Sequence, residues 1–177
     1  DTAVVQKDLT QWMFKITEYA GALIDDLAKL DWPETTKTAQ KNWIGRSEGA
    51  KIKFKLTNIQ SQQAGKHFVE VFTTRPDTLF GVTFVVVSPE LAQKWLDVGW
   101  QASEDVKKYI SASLNKKELE RMAEAGEKSG IDAGIKAINP ANKEKIPVWI
   151  SDYVLAGYGT GAVMGVPAHD ERDFEFA

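Results

Sequence analysis

Lys51-Ile52-Lys53-Phe54-Lys55-Leu56 alternates a cation with an apolar side chain, a period of two that suits a β-strand with one wet face and one buried face. Such a strand needs partners, and the chain supplies them. Residues 67–72 and 83–87 are richer in Val and Phe, as fits more buried strands, and 131–138, 146–155 and 161–166 read as three further strands. Residues 89–98 and 104–124 carry apolar positions at helical spacing, with Ser113 as a cap ahead of 115–125. Residues 126–130 form a glycine-bounded turn, and Asp170 opens a last helix. The predicted class is α/β: a mixed β-sheet, curled or barrel-like, with surrounding helices.

The N-terminal part obeys a different period. Leu9, Trp12, Met13, Ile16, Tyr19, Ala20, Leu23, Ile24, Leu27 and Leu30 recur at three- and four-residue steps, which predicts an amphipathic helix over 9–30. Proline disfavours helical geometry in the residue before it, so this helix should stop near Asp31-Trp32-Pro33. Residues 34–50 are polar, with Trp43 and Ile44 embedded and glycines at 45 and 49, and read as a linker or hinge. The six tryptophans are expected mostly in the core.

Composition removes several classes of function. A length of 177 residues at 43% hydrophobic content is enough for a real core without staples. The absence of cysteine rules out disulfides, thiolate metal sites and a cysteine nucleophile, and fits a cytoplasmic setting. His67 and His169 are too few and too far apart in sequence for a histidine metal cluster, so no metal is expected. No apolar run approaches the roughly 20 residues of a membrane span. Asp1-Thr2-Ala3 has neither an initiator methionine nor a signal-peptide pattern, as expected of an internal fragment. A net charge of −3 argues against a strong phosphate-binding surface, so any nucleic acid would be held mainly elsewhere. A Ser-His-Asp hydrolase lacks its Gly-x-Ser-x-Gly elbow, and no Lys-Ser/Thr phosphate loop follows Gly157, Gly159 and Gly161.

Two segments carry more polar chemistry than a core needs. In Thr73-Thr74-Arg75-Pro76-Asp77-Thr78-Leu79-Phe80-Gly81 the hydroxyls gather around a proline as the chain leaves a strand. A well-capped turn, followed by one helical turn from Asp77, accounts for them. Arg75, read as a donor at a buried edge, also suits a carboxylate, phosphate or carbonyl partner. In the second segment, residues 157–173, Asp170 and Asp173 stand three apart at a helix start, like a capping box. Aspartate is too short to reach back well from the third position, so Asp173 is also suited to a ligand ammonium group. His169 beside the cap fits a structural role, and the alternating glycines permit close backbone approach.

Together, Thr73-Thr74-Arg75-Pro76-Asp77-Thr78-Leu79-Phe80-Gly81 and Gly159-Thr160-Gly161-Ala162-Val163-Met164-Gly165-Val166-Pro167-Ala168-His169-Asp170-Glu171-Arg172-Asp173 resemble the editing domain of bacterial-type leucyl-tRNA synthetases. The likeness extends over nearly the whole chain. It implies an N-terminal helix and hinge from the parent synthetase at 1–45 and an editing domain at 46–177. The reaction it implies is hydrolysis of the ester between a wrong amino acid and the terminal adenosine of tRNA(Leu). The alternative is a domain that binds the tRNA 3′ end or an aminoacyl-adenosine without independent hydrolysis. By the same resemblance, Asp173 would hold the substrate ammonium group and Thr78 would be the steric gate against leucine. Thr73, Thr74 and Arg75 would position the ester, the ribose and the attacking water. Met164, Val166 and Tyr158 would shape the pocket. Asp170 and Arg172 would be near neighbours or contacts to the tRNA end, and His169 matches the motif without being the general base. Partners would be the tRNA(Leu) 3′ end and the rest of the synthetase chain, with no membrane. Editing would use no cofactor, ATP and magnesium serving the parent enzyme's aminoacylation, whose signature motifs are not found in this sequence. Some family members carry alanine at position 165 and glycine at 168, a departure that concerns the local backbone.

Overall fold

Among the described residues, six strands form one mixed sheet in the order β2-β1-β4-β5-β3-β6. The computed structural model describes residues 9–57, 68–116, 129–157 and 159–177. Most of the predicted helix over 115–125, most of the predicted turn at 126–130, His67 and Tyr158 lie outside the described residues. Strands β1 (Ala50–Thr57) and β2 (Phe68–Thr73) pair antiparallel from Ala50 opposite Thr73 to Lys55 opposite Phe68. Strand β4 (Gly130–Ile138) pairs antiparallel with β1 and with β5 (Lys145–Ser151). Strand β3 (Phe84–Val87) runs parallel to β5 and antiparallel to β6 (Ala162–Gly165).

The alternation that predicted β1 is realised: Phe54 and Leu56 are buried while Lys51, Lys53 and Lys55 are exposed. The bulge in β4 between Asp132 and Ile135 is made by Gly134, at φ +70°, whose N–H donates to Asp132 Oδ1 at 2.8 Å. The edge strands β2 and β6 approach each other without pairing, so the sheet is curled and open rather than a closed barrel.

The sheet is covered on both faces, and the residues of β3 show how. Val85 and Val87 join the main core with Phe54, Val71, Ile135, Val148 and Ile150. Phe84 and Val86, pointing the other way, form a second apolar cluster with Val154. Helices α3 (Pro89–Asp97) and α4 (Glu104–Leu114) close the main core, each capped by a serine: Ser88 Oγ accepts from Leu91 N–H and Ser103 Oγ from Val106 N–H. Ser113 is not a cap but a buried residue inside α4. Helix α5 (Glu171–Phe176) lies on the second cluster through Phe176.

The described chain separates into two compact units, one ending at Glu48 and the other Gly49–Ala177. In the first, the helix predicted over 9–30 forms only in part. Residues 9–15 have no regular structure, a 3₁₀ turn spans Ile16–Tyr19, α1 is limited to Ala20–Asp26, and a second 3₁₀ turn spans Leu27–Lys29. An amphipathic pattern stabilises a helix only where its apolar stripe is buried, and here only Leu27 is buried. Trp12, Phe14 and Trp43 stand almost wholly exposed, against the expectation of tryptophan in the core, which Trp100 does meet. The predicted linker at 34–50 is instead mostly helix, α2 (Glu34–Ile44). Pro33 precedes its first turn, and Gly45, at φ +65°, terminates it by donating its N–H to Lys41 O at 2.9 Å.

Candidate functional site

The threonine bend begins where β2 ends. Arg75 N–H donates to Thr73 Oγ1 at 3.0 Å, which turns the chain into a 3₁₀ helix over Pro76–Gly81. Thr78 sits inside that turn, 7% exposed, with its hydroxyl donating to Arg75 O at 2.9 Å. Thr73 is half-buried and Thr74 exposed. Arg75 is not the buried-edge donor expected. Its guanidinium lies in solvent and grips the neighbouring Asp77 carboxylate in a fork, Nε to Oδ1 at 3.0 Å and Nη2 to Oδ2 at 2.8 Å. That hydrogen bond lowers the Asp77 carboxyl pKa below its ordinary value and raises that of Arg75. Two residues apart on an irregular turn, the pair satisfies itself before any ligand arrives.

The second segment is more tightly held. Met164 and Val166 are buried in the main core, 8% and 5% exposed, so any pocket they shape touches only their margins. After Val166 the chain turns, His169 N–H and Asp170 N–H both donating to Val166 O. Asp170 is the N-cap of α5: its Oδ1 accepts from Arg172 N–H at 2.9 Å and Asp173 N–H at 3.1 Å. Asp173 is not the reciprocal member of a capping box. Its Oδ2 reaches seven residues back and accepts from Val166 N–H at 2.7 Å, and the residue is 9% exposed. A buried carboxylate costs free energy unless charge partners and hydrogen bonds surround it, so this one is placed by the fold. His169, Asp170 and Arg172 are exposed around it.

The two segments meet at one end of the β3–β6 pair. Thr83 N–H donates to Gly165 O at 3.0 Å, and a methyl on Gly81 would touch Val166 Cγ1 at 3.4 Å. His169 is near enough to add to the lowering of the Asp77 pKa. Gly161 stands at the opposite end of β6, its carbonyl accepting from Ser88 N–H. Gly159 and Gly161, at φ +61° and +72°, occupy left-handed backbone. An open recess of about 250 Å³ beside this loop is lined in part by Thr160, Phe68 and Trp95. The missing Cβ of Gly165 leaves room for the Phe84 ring.

Two residues that no motif singles out support this arrangement. Asn139 is fully buried and bridges the loop after β4 to the bend: Nδ2 donates to Leu79 O at 2.9 Å and Oδ1 accepts from Ala141 N–H. The only signal for it was an Asn-Pro pair, which reads as an ordinary turn. Tyr153 lies close enough to Asp173 and Asp170 for their charges to act on it, and its hydroxyl is buried without a hydrogen-bond partner among the described residues. Burial first, then those two carboxylates, push its phenol well above the ordinary value.

The family model for the leucyl-tRNA synthetase editing domain matches residues 41–177. A leucine–tRNA ligase of Rubrobacter xylanophilus is 51% identical over all 177 residues, which span 21% of that protein's length. Among solved structures, the Agrobacterium radiobacter K84 agnB2 LeuRS in a ternary complex with tRNA and LeuAMS superimposes with a TM-score of 0.73 at 41% identity. That match covers 94% of this chain and 20% of the other. The chain thus spans about a fifth of the relatives it matches. No helix among the described residues is long and apolar enough to cross a membrane. The family match takes in the whole sheet unit with both polar segments, and on that footing the chain belongs to the leucyl-tRNA synthetase editing-domain family.

Proposed function

We propose that this chain performs post-transfer editing, the hydrolysis of the aminoacyl ester on mischarged tRNA(Leu), within a longer leucine–tRNA ligase. The observation that carries the reading is the meeting of the Thr78 bend with the Asp173 helix start at one end of β3 and β6. Such a second site is needed because an apolar pocket separates similar side chains by only about 1–3 kcal/mol per methylene, a limit known from sister synthetases.

Asp173 is the ammonium anchor in this scheme. Its carboxylate is already oriented by Val166 N–H, so little ordering is left for the substrate to bring about. Thr78 is the gate: its hydroxyl is tied to Arg75 O, so its side chain is a fixed wall rather than a swinging one. Leucine is refused by bulk, while smaller or differently branched side chains enter. Thr73 and Thr74 supply hydroxyls near the ester, and Met164 and Val166 border the side-chain space. Arg75, Asp170 and Arg172 stand at the rim toward the tRNA end, Asp170 doing so while it caps α5.

No side chain is required as a nucleophile. The ester is activated already, and water attacks its carbonyl carbon with hydroxyl and amide donors stabilising the oxyanion and a ribose hydroxyl of the substrate assisting. His169 takes no proton, and no cofactor takes part. The helix unit up to Glu48 belongs, in this reading, to the parent synthetase that delivers the tRNA end.

The test is deacylation of tRNA(Leu) carrying a noncognate amino acid by the complete ligase. Asp173→Ala should abolish it while leucylation continues; undiminished hydrolysis would overturn the assignment.

A further inference from the structure

Asp170 caps the start of helix α5, and of its two phenylalanines Phe174 is exposed while Phe176 is seated against the second apolar cluster. The Phe176 ring lies 5.4 Å from that of Tyr153, 5.6 Å from Phe84 and 5.8 Å from Trp149, edge-on to Trp149 and Tyr153. The space for it is left by Gly130, where an added Cβ would come within 2.6 Å of Phe176 Cζ. Asp173 and Phe176 are three residues apart and so lie on the same side of the helix. Any rotation or lift of α5 that unseats the ring also moves the carboxylate away from Val166 N–H.

We infer that Phe176, which lies outside the substrate site, is a positioning residue for editing: its seat among Phe84, Trp149 and Tyr153 sets the depth and direction of the Asp173 carboxylate. The inference rests on the role proposed above for Asp173. A displacement of about an ångström in a substrate-holding group can cost up to a hundredfold in rate. The tyrosine ring belongs to the seat; its hydroxyl, without a partner among the described residues, plays no part in it.

The experiment is a double-mutant cycle in the complete ligase, read as kcat and KM for deacylation of mischarged tRNA(Leu), with leucylation and thermal unfolding followed alongside. Phe176→Leu keeps an apolar side chain but removes the ring edges. It should lower deacylation kcat/KM roughly tenfold or more, mostly through KM, with leucylation unchanged. Gly130→Ala pushes on the same ring from the other side and should give the same split, which covers the case in which Phe176→Leu is poorly folded. Introduced into Asp173→Asn, which should retain measurable hydrolysis, Phe176→Leu should cause little further loss, because the group it positions is already disabled. Full additivity of the two losses, or a fall in unfolding temperature with KM unaltered, would overturn the inference. Undiminished hydrolysis in Asp173→Asn alone would instead remove the reading of Asp173 on which it stands.

Discussion

The bend that carries Thr78 and the helix start that carries Asp173 lie side by side, yet opposite kinds of force hold them. The bend is fixed by polar links: Thr78 to Arg75 O, Arg75 N–H to Thr73, and the buried Asn139 amide to Leu79 O. Helix α5 is fixed by aromatic packing at one end and a cap at the other. The two aspartates show the result. Asp77 sits in solvent and spends its charge on Arg75, whereas Asp173 is nine-tenths buried with a backbone amide aimed at it. One residue type thus has two fates, and only the second is held in a fixed direction by the fold, as the ammonium-anchor role proposed for it requires.

The sharpest way to break that contrast is to neutralise each carboxylate in turn. Asp173→Asn should reduce deacylation of mischarged tRNA(Leu) about 10- to 100-fold, the worth of a charge-assisted hydrogen bond at about 1.5–3 kcal/mol. Asp77→Asn should change it less than about threefold, as expected of a solvent-exposed ion pair. Equal losses would mean that burial does not separate the two. A somewhat smaller effect is expected at the gate. Thr78→Ala opens the space of a hydroxyl and a methyl, so the complete ligase should hydrolyse leucyl-tRNA(Leu) about tenfold faster than before. An unchanged preference for noncognate esters would move the gate to another wall.

The sheet was legible in the sequence because burial on alternate sides writes itself into period two. The alternation at 51–56 marked β1, and the Val-Phe runs marked β2 and β3 to within a residue or two. The helix over 9–30 was over-read because a periodic apolar stripe states what could be buried, not what is there to bury it. The α2 helix was missed because its polar composition gives no stripe at all, and only Pro33 and Gly45 bracketed it. At the site, the motifs located both segments, and Asp170 was legible as a cap. What no motif could carry was the three-dimensional support. Asn139 lies 60 residues from Leu79, and Tyr153 is 23 residues from Phe176, so neither contact leaves a local pattern.

Those supports give two smaller tests of the same contrast. Asn139→Ala removes a fully buried amide with both its bonds, taking the acceptor from Ala141 N–H and one of the two donors from Leu79 O, which keeps Val82 N–H, at a cost of about 1–3 kcal/mol in unfolding free energy. Because it anchors the bend and not α5, it should blur the discrimination between leucyl and noncognate esters more than it weakens ammonium binding. Comparable damage to both would show that the two halves are one rigid piece.

Tyr153→Phe probes the aromatic side and has the opposite sign. Its hydroxyl is buried with no partner among the described residues, so its removal relieves a desolvation cost and should raise stability by about 1 kcal/mol. The pH dependence follows from the raised phenol pKa. The native state favours the neutral form, so its contribution is intact below the ordinary tyrosine value of about 10 and is lost as pH climbs toward the folded value. Thermal unfolding at pH 8 and at pH 10.5 should therefore show a smaller alkaline loss in Tyr153→Phe than in the parent. A variant less stable at pH 8 would mean that the hydroxyl is bonded after all, and that the seat under Asp173 is polar as well as aromatic.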